Sequence, residues 1–244
     1  MKILHLDIET FPNTVYTWGL WDQNIPIEMI VEPGKVACWG AMWDGASHVM
    51  FDSVHNSTQR QMLKGIHGLL NEADAVVTYN GDKFDLPWLR GDFATVGLKP
   101  IAPVKSIDLL KTVRTQFRFP SNKLQYVSRV FGIGEKVKHS GFELWQQCMA
   151  GDPAAWAKME EYNIQDVLLL ERLYNKIKGS IKNHPNHSVF TGHLVCPNCG
   201  SEHRHIRGYS DTQAGRYPRY QCTDCGKYYR GNTSVASKKK MLPL

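Results

Sequence analysis

Short, apolar, β-branched runs alternate with stretches of helical period along this chain. KILHLDIE, residues 2–9, is bounded by Pro12 and Asn13 and reads as a buried strand. TVYTWGLW (14–21), VACWGAMW (36–43) and HVMF (48–51) are rich in aromatic and β-branched residues and predict a strand meander. From Ser57 to Leu70 the period changes. Met62, Ile66, Leu69 and Leu70 fall on one helical face, with Ser57 or Thr58 placed to cap it. DAVVTYN (74–80) predicts another buried strand, which Gly81 turns toward a helix opening near Pro87. KSIDLL (105–110) predicts a strand entering a helix with Asp108 as its cap, and SNKLQYVSRVFGI (121–133) a helix stopped at Gly132. Residues 152–178 predict one long helix carrying Trp156, Met159, Tyr162, Ile164, Val167, Leu170 and Leu173. Strands first, then strands alternating with helices, imply a mixed-sheet α/β domain.

Past residue 178 the pattern changes. The polar, Pro-containing stretch 179–192 predicts a linker, 193–231 a small cysteine module and 232–244 a loose basic tail. Charge follows the same division. From residue 180 onward stand ten Lys and Arg against three acids, while the preceding body carries 19 bases and 20 acids. A near-neutral body with a basic tail piece suits a polyanionic partner, although a solvated basic face has the same charge. The amino terminus shows no charged-then-apolar leader pattern, and no window nears eighteen uninterrupted apolar residues, so no membrane partner and a cytoplasmic location are expected. Cys38 and Cys148 stand alone and read as buried small residues.

Within the first strand Asp7 and Glu9 lie two apart, hence on one side, while Leu6 and Ile8 point to the other. Adjacent carboxylates repel unless a proton or a cation joins them, and hard oxygen donors suit Mg²⁺ or Mn²⁺. For an isolated Asp-x-Glu a fraying, solvated strand end is the better explanation. YNGDKFD ends a buried strand at Asn80 and delivers Asp85 to the carboxyl edge of the sheet, where α/β ligand sites gather. YNIQD places Tyr162 and Asp166 four apart on one face of the last helix.

The ordered set LDIET, YNGDKFDLPWL and EYNIQDVLLLERL resembles the DEDD superfamily of 3′→5′ exonucleases (DnaQ-like), in the branch with tyrosine in its third motif. The resemblance covers residues 1–178 and implies a ribonuclease H-like fold, a mixed sheet flanked by helices, in a stand-alone nuclease. It implies that Asp7, Glu9, Asp85 and Asp166 hold two divalent ions, Mg²⁺ or Mn²⁺, about 4 Å apart. Asp7 would bridge both, and Tyr162 would orient the attacking water, its pKa near 10 making it a poor base at neutral pH. The expected product is a nucleoside 5′-monophosphate. Thr10, Phe11 and Asn80 are expected to touch substrate, with Phe11 as a wedge against a terminal base. Asp82 is expected to be exposed, and Trp39, Trp43 and Trp88 to belong to the core.

Cys196-x2-Cys199 and Cys222-x2-Cys225 each end in glycine and match the spacing of a four-thiolate Zn²⁺ site. The module resembles a zinc ribbon, and four thiolates imply a structural ion; His203 and His205 are expected at the surface. RHIRGY, RYPRYQ and KYYRG interleave cations with tyrosines, so Arg204, Arg207 and Arg219 are candidate contacts to a single strand. The same tyrosines, Tyr220 and Tyr228 first, could form the ribbon's own small core, and the ribbon could instead dock a protein partner. DNA is the favoured nucleic acid and RNA stays open. An exoribonuclease, a structure-specific endonuclease and a non-catalytic nucleic-acid-binding protein are the alternative readings.

Overall fold

A computed structural model of the chain describes residues 1–235. Its centre is a five-stranded sheet in the order β5-β4-β1-β6-β7. The strands are β1 (Ile3–Phe11), β4 (Lys35–Trp43), β5 (Met50–Ser53), β6 (Ala75–Thr78) and β7 (Lys105–Asp108). β4 runs antiparallel to both of its neighbours, β1 and β5, whereas β6 and β7 lie parallel to β1. A mixed sheet with helices on both faces is a ribonuclease H-like arrangement.

The strand alternation of β1 decides what each face carries. Leu4, Leu6 and Ile8 are buried against α1 (Gln59–Glu72) and α2 (Asp85–Thr95). Ile3, His5, Asp7 and Glu9 point the other way, toward α3 (Leu109–Gln116), α4 (Leu124–Phe131), α5 (Phe142–Met149) and α6 (Pro153–Ile177). Local signals set the helix starts. Thr58 and Gln61 form a capping box on α1, Asp108 caps α3 through Leu110 N–H, and Asp152 caps α6 with Pro153 at its first position. Cys38 and Cys148 are buried as expected.

The meander expected at 14–21 is reduced to a two-stranded hairpin, β2 (Thr14–Val15) with β3 (Ile30–Glu32). Between them Trp18, Leu20 and Trp21 are exposed to solvent. Pro12, Gly19 and Pro26 interrupt the run, and β4 already has both its edges paired, by β1 and β5. No helix among the described residues is long and apolar enough to cross a membrane.

Residues 179–192 contain a short 3-10 turn and α7 (His187–Thr191). Ile181 in this segment is buried. The cysteine segment adds a three-stranded antiparallel sheet, β8 (Arg204–Thr212), β9 (Gly215–Cys222) and β10 (Tyr228–Arg230). Lys238, Lys239 and Lys240 of the expected basic tail lie outside the described residues.

Candidate metal centre and nucleic-acid cleft

Helix α6 is brought close to β1 by the absence of a side chain on the neighbouring strand. Gly40 of β4 pairs with Asp7, and a Cβ there would stand 2.4 Å from Asn163 Oδ1 and 3.0 Å from Val167 Cγ2. With nothing in that space, α6 packs against the sheet and presents Tyr162, Asn163 and Asp166 to the acidic face of β1. A bulge between Glu9 and Thr10 lies at the same end of the strand.

The result is a compact group of oxygens. One carboxylate oxygen from each of Asp7, Glu9 and Asp166 lies within 4.8 Å of the others. Asp85 is buried beside this group but outside it, because its Oδ1 accepts the Ile8 N–H at 3.2 Å. That N–H lies beyond the last residue of β1 paired to β6, so Asp85 ties the start of α2 to the strand. Three of the four expected carboxylates are therefore gathered, and the fourth flanks them.

Burial is the main cause that lifts the Asp7 carboxyl well above the usual range, reinforced by Asp166, Asp85 and Glu9. Burial and then Asp166 push Glu9 up to about 8. Burial pushes Asp85 up to about 7, against the opposing hydrogen bonds from its own N–H and that of Ile8. Asp166 is also raised by burial, against Lys136. Its Oδ1 is buried without a hydrogen-bond partner. Uncompensated charge, an orphaned carboxylate oxygen and hard donors together fit a divalent cation held by Asp7, Glu9 and Asp166.

Two neighbours carried no signal in the sequence. The Lys136 ammonium lies in the loop between α4 and α5 and donates to Asp166 Oδ2 and to Tyr162 Oη. Burial opposes the Lys136 charge, but Asp166 and Tyr162 hold it above the ordinary lysine range. Asn163 is fully buried and donates to Asp7 Oδ2 at 2.8 Å, which fixes the rotamer of that carboxylate. Burial, then Asp166 and Glu9, raise Tyr162, so its phenol stays protonated at neutral pH.

The carboxylates open into a cleft of about 630 Å³. Asp7, Asn80, Lys136, Tyr162 and Asp166 line it, together with Arg114 and Lys123. Asn80 has a positive φ of 74° and donates its N–H to Asp108, so it turns the chain at the end of β6. Thr10 is half-buried at the bulge. Phe11 is not in the cleft: it is 7% exposed and packs edge-on against Trp156. Asp82 bonds Ser106 and Lys111, and of the three tryptophans Trp39 is buried while Trp43 and Trp88 pack half-buried against the same cluster.

In the cysteine segment Cys196, Cys199, Cys222 and Cys225 converge. The closest sulfur pairs are 3.5 Å, Cys196 with Cys225, and 3.6 Å, Cys199 with Cys222. Bonds of about 2.3 Å in a tetrahedron give sulfur separations near 3.8 Å, so the donors fit a zinc ion. His203 and His205 are exposed. Arg204 bonds Leu194 O and lies over the Tyr220 ring. Arg207 bonds Gln221, and Arg219 bonds Arg207 O, both on the exposed sheet. Tyr220 leans on Tyr229 in the small core, whereas Tyr228 is exposed.

The architecture and the acidic centre define a mixed-sheet α/β protein with a carboxylate site suited to divalent cations. Residues 4–178 match the model of the RNase_H superfamily, and the chain belongs to that superfamily. It is similar to DNA polymerase 1 of Aeropyrum pernix, 26% identical over a match 143 residues long, which covers 53% of this chain and 14% of the polymerase. In fold it is similar to the family B DNA polymerase of the archaeon Pyrobaculum calidifontis. That match has a TM-score of 0.55 at 18% identity and covers 73% of this chain and 24% of the polymerase. The chain thus spans a small part of either polymerase.

Proposed function

We propose that this chain is a metal-dependent 3′→5′ exonuclease that releases nucleoside 5′-monophosphates, with single-stranded DNA as the favoured substrate. The observation that carries the reading is the convergence of Asp7, Glu9 and Asp166, two of which line a cleft together with Tyr162, Arg114 and Lys123. Membership of the RNase_H superfamily and the similarity to DNA polymerases support it.

In this reading Asp7, Glu9 and Asp166 hold Mg²⁺ or Mn²⁺, with Asp85 completing the set for a second ion. Bound divalent cations supply a lowered water pKa and charge stabilisation at the departing 3′-oxygen. Asn163 holds the Asp7 carboxylate in place. Tyr162, protonated, orients the attacking water by hydrogen bonding rather than taking its proton. Lys136 balances Asp166 when fewer cations are present. Asn80 and Thr10 border the terminal nucleotide; Phe11 supports them from the core.

Residues 1–178 are proposed as the nuclease unit and 193–231 as a zinc ribbon, its four thiolates holding one structural Zn²⁺. Arg204, Arg207 and Arg219 give that ribbon an exposed cationic sheet for nucleic acid. The test is a panel of 5′-labelled linear DNA and RNA, plus circular DNA, with Mg²⁺ or Mn²⁺. A ladder shortening from the 3′ end, absent in Asp7→Asn, is expected. Cutting of the circle would replace the exonuclease reading with an endonuclease one, and metal-dependent activity surviving both Asp7→Asn and Asp166→Asn would overturn the site.

A further inference from the structure

The cysteine segment does not hang from a free tether. Asn198, between Cys196 and Cys199, is buried and donates to Lys178 O at 2.7 Å and Ile181 O at 2.9 Å. Lys227, just past Cys225, donates to Ile181 O at 2.8 Å. Gly179 lies so close that a Cβ would stand 2.0 Å from Cys225 O. Both cysteine knuckles therefore grip the chain at the carboxyl end of α6. Asp166 sits twelve residues before Lys178, which is about 18 Å along the helix. The cysteine segment is therefore seated at the end of the strands opposite the carboxylates, beside Ile3 and Ala75.

A strand engaged at both places must cross the surface between them, and that surface has the right chemistry. Helix α3 borders two cavities. Its Leu110 and Arg114 line the carboxylate cleft. Its Lys111, Thr115 and Gln116 line a second cavity of about 490 Å³, together with Lys105, Ser180, Ile181 and Lys182. Ile181 is the residue that both knuckles hold. Lys105, Arg114, Lys123 and Lys182 are exposed and have no carboxylate ion pair among the described residues. The acids bordering the second cavity are already engaged. Asp82 is bonded by Lys111 and Ser106, and Asp108 accepts from Asn80 N–H and Leu110 N–H.

We propose that the edge of the sheet formed by β7, α3 and residues 180–183 is a polynucleotide track, on which the substrate strand runs from the cleft past Lys105 and Lys182 to the ribbon. This inference rests on the exonuclease reading above and adds the route and length of the bound strand. At about 3.4 Å per stacked nucleotide, the 18 Å offset corresponds to roughly five nucleotides beyond the terminal one. Strands shorter than that reach only the cleft.

The test is the Lys105→Ala/Lys182→Ala double variant, read by fluorescence anisotropy with labelled 4- and 20-nucleotide single strands in an Asp7→Asn background, at several salt concentrations. The expected result is a three- to tenfold loss of affinity for the 20-mer, with a salt slope smaller by about 1.4, since each lost phosphate contact on a single strand removes about 0.7. Binding of the 4-mer should be unchanged. The same pair of substitutions in the protein with Asp7 intact should leave hydrolysis of the 4-mer as it was. Unchanged affinity and slope for the 20-mer, with hydrolysis by the unsubstituted protein present, overturn the track alone. Failure of the unsubstituted protein to hydrolyse either strand overturns the exonuclease reading and the track with it.

Discussion

At Asp7 three demands meet: a buried strand position, a carboxylate, and a neighbour in Asn163 that holds its orientation. In the metal-free protein its charge opposes folding, first because the carboxylate is buried away from water and then because Asp166, Asp85 and Glu9 crowd it. Asp7→Asn removes that repulsion and keeps the shape. Hydrolysis should fall on the order of 10³-fold or more. The metal-free melting temperature at pH 8 should rise by a few degrees, at about 2–4 °C per kcal/mol for a chain of this size. A variant that loses activity and also melts lower would assign Asp7 a structural role. The same repulsion sets a pH dependence. Glu9 at about 8 and Asp85 at about 7 lie above their ordinary values of 4.5 and 3.8. A carboxyl raised in the folded state is neutral in both states at acid pH; above its ordinary value the unfolded chain ionises first, and stability falls until the folded carboxyl ionises too. The contribution of these two groups to metal-free stability should therefore be most favourable at or below the ordinary carboxylate values and decline from there up to about pH 7 for Asp85 and about pH 8 for Glu9, with Mg²⁺ or Mn²⁺ flattening the decline. A thermal-shift series with and without metal reads both slopes, and a flat metal-free profile would contradict the crowded site. These carboxylates were legible in the sequence because strand alternation and helix spacing fix which side chains share a face. Lys136 and Asn163 were not. Lys136 lies in an irregular loop with no period to read, and Asn163 is one neutral amide beside a more conspicuous tyrosine. Phe11 was misjudged for a related reason: position after the acidic pair says nothing about whether a ring faces the cleft or Trp156.

Among the elements, α6 and β4 determine how tightly the centre closes. Gly40 leaves the space into which Asn163 and Val167 pack. Gly40→Ala would force a methyl into contacts of 2.4 and 3.0 Å and displace α6 from β1. Overpacking of this kind costs about 1–3 kcal/mol, and because it moves Tyr162 and Asp166 together, the turnover number should drop by more than the affinity for nucleic acid. Stability by denaturant titration and steady-state kinetics would check the pair; normal turnover in a destabilised variant would mean that α6 yields without moving the site. The sequence patterns located most of these elements, since α1, α3 and α6 begin with side-chain caps and the core strands are dense in apolar residues. They failed at 14–21, where aromatic, β-branched composition is indistinguishable from a strand although β4, the next strand of the sheet in the chain, has both its sides paired already. The eight-residue α5 went unrecognised, being short and opened by Gly141 with no side-chain cap.

Across the whole molecule, the attachment of the cysteine segment links two proposed metal sites through one helix. Charge and cysteine spacing revealed that segment, but its docking depends on Asn198 and Lys227, a polar pair that looks like ordinary knuckle sequence until it meets the end of α6. Those two residues add side-chain donors to Lys178 O, which also accepts the Ile181 N–H, and to Ile181 O just past the helix, and Lys227 brings a cation to the end where the helix dipole favours one. On the proposed zinc reading, the ion holds the knuckles in the shape that presents these donors. Stripping zinc with a chelator should then loosen the carboxyl end of α6. Amide hydrogen exchange over residues 174–181 should accelerate, while residues 156–166, held by Gly40 and β1, should keep their protection. Asn198→Ala, which leaves all four thiolates in place, should reproduce part of that acceleration and cost about 1–2 kcal/mol through the two lost hydrogen bonds to Lys178 O and Ile181 O. Zinc content measured on the same sample separates loss of the ion from loss of the cap. Exchange at 174–181 that ignores both treatments would show that α6 is stable without the module, and the ribbon's fixed position would then need another source.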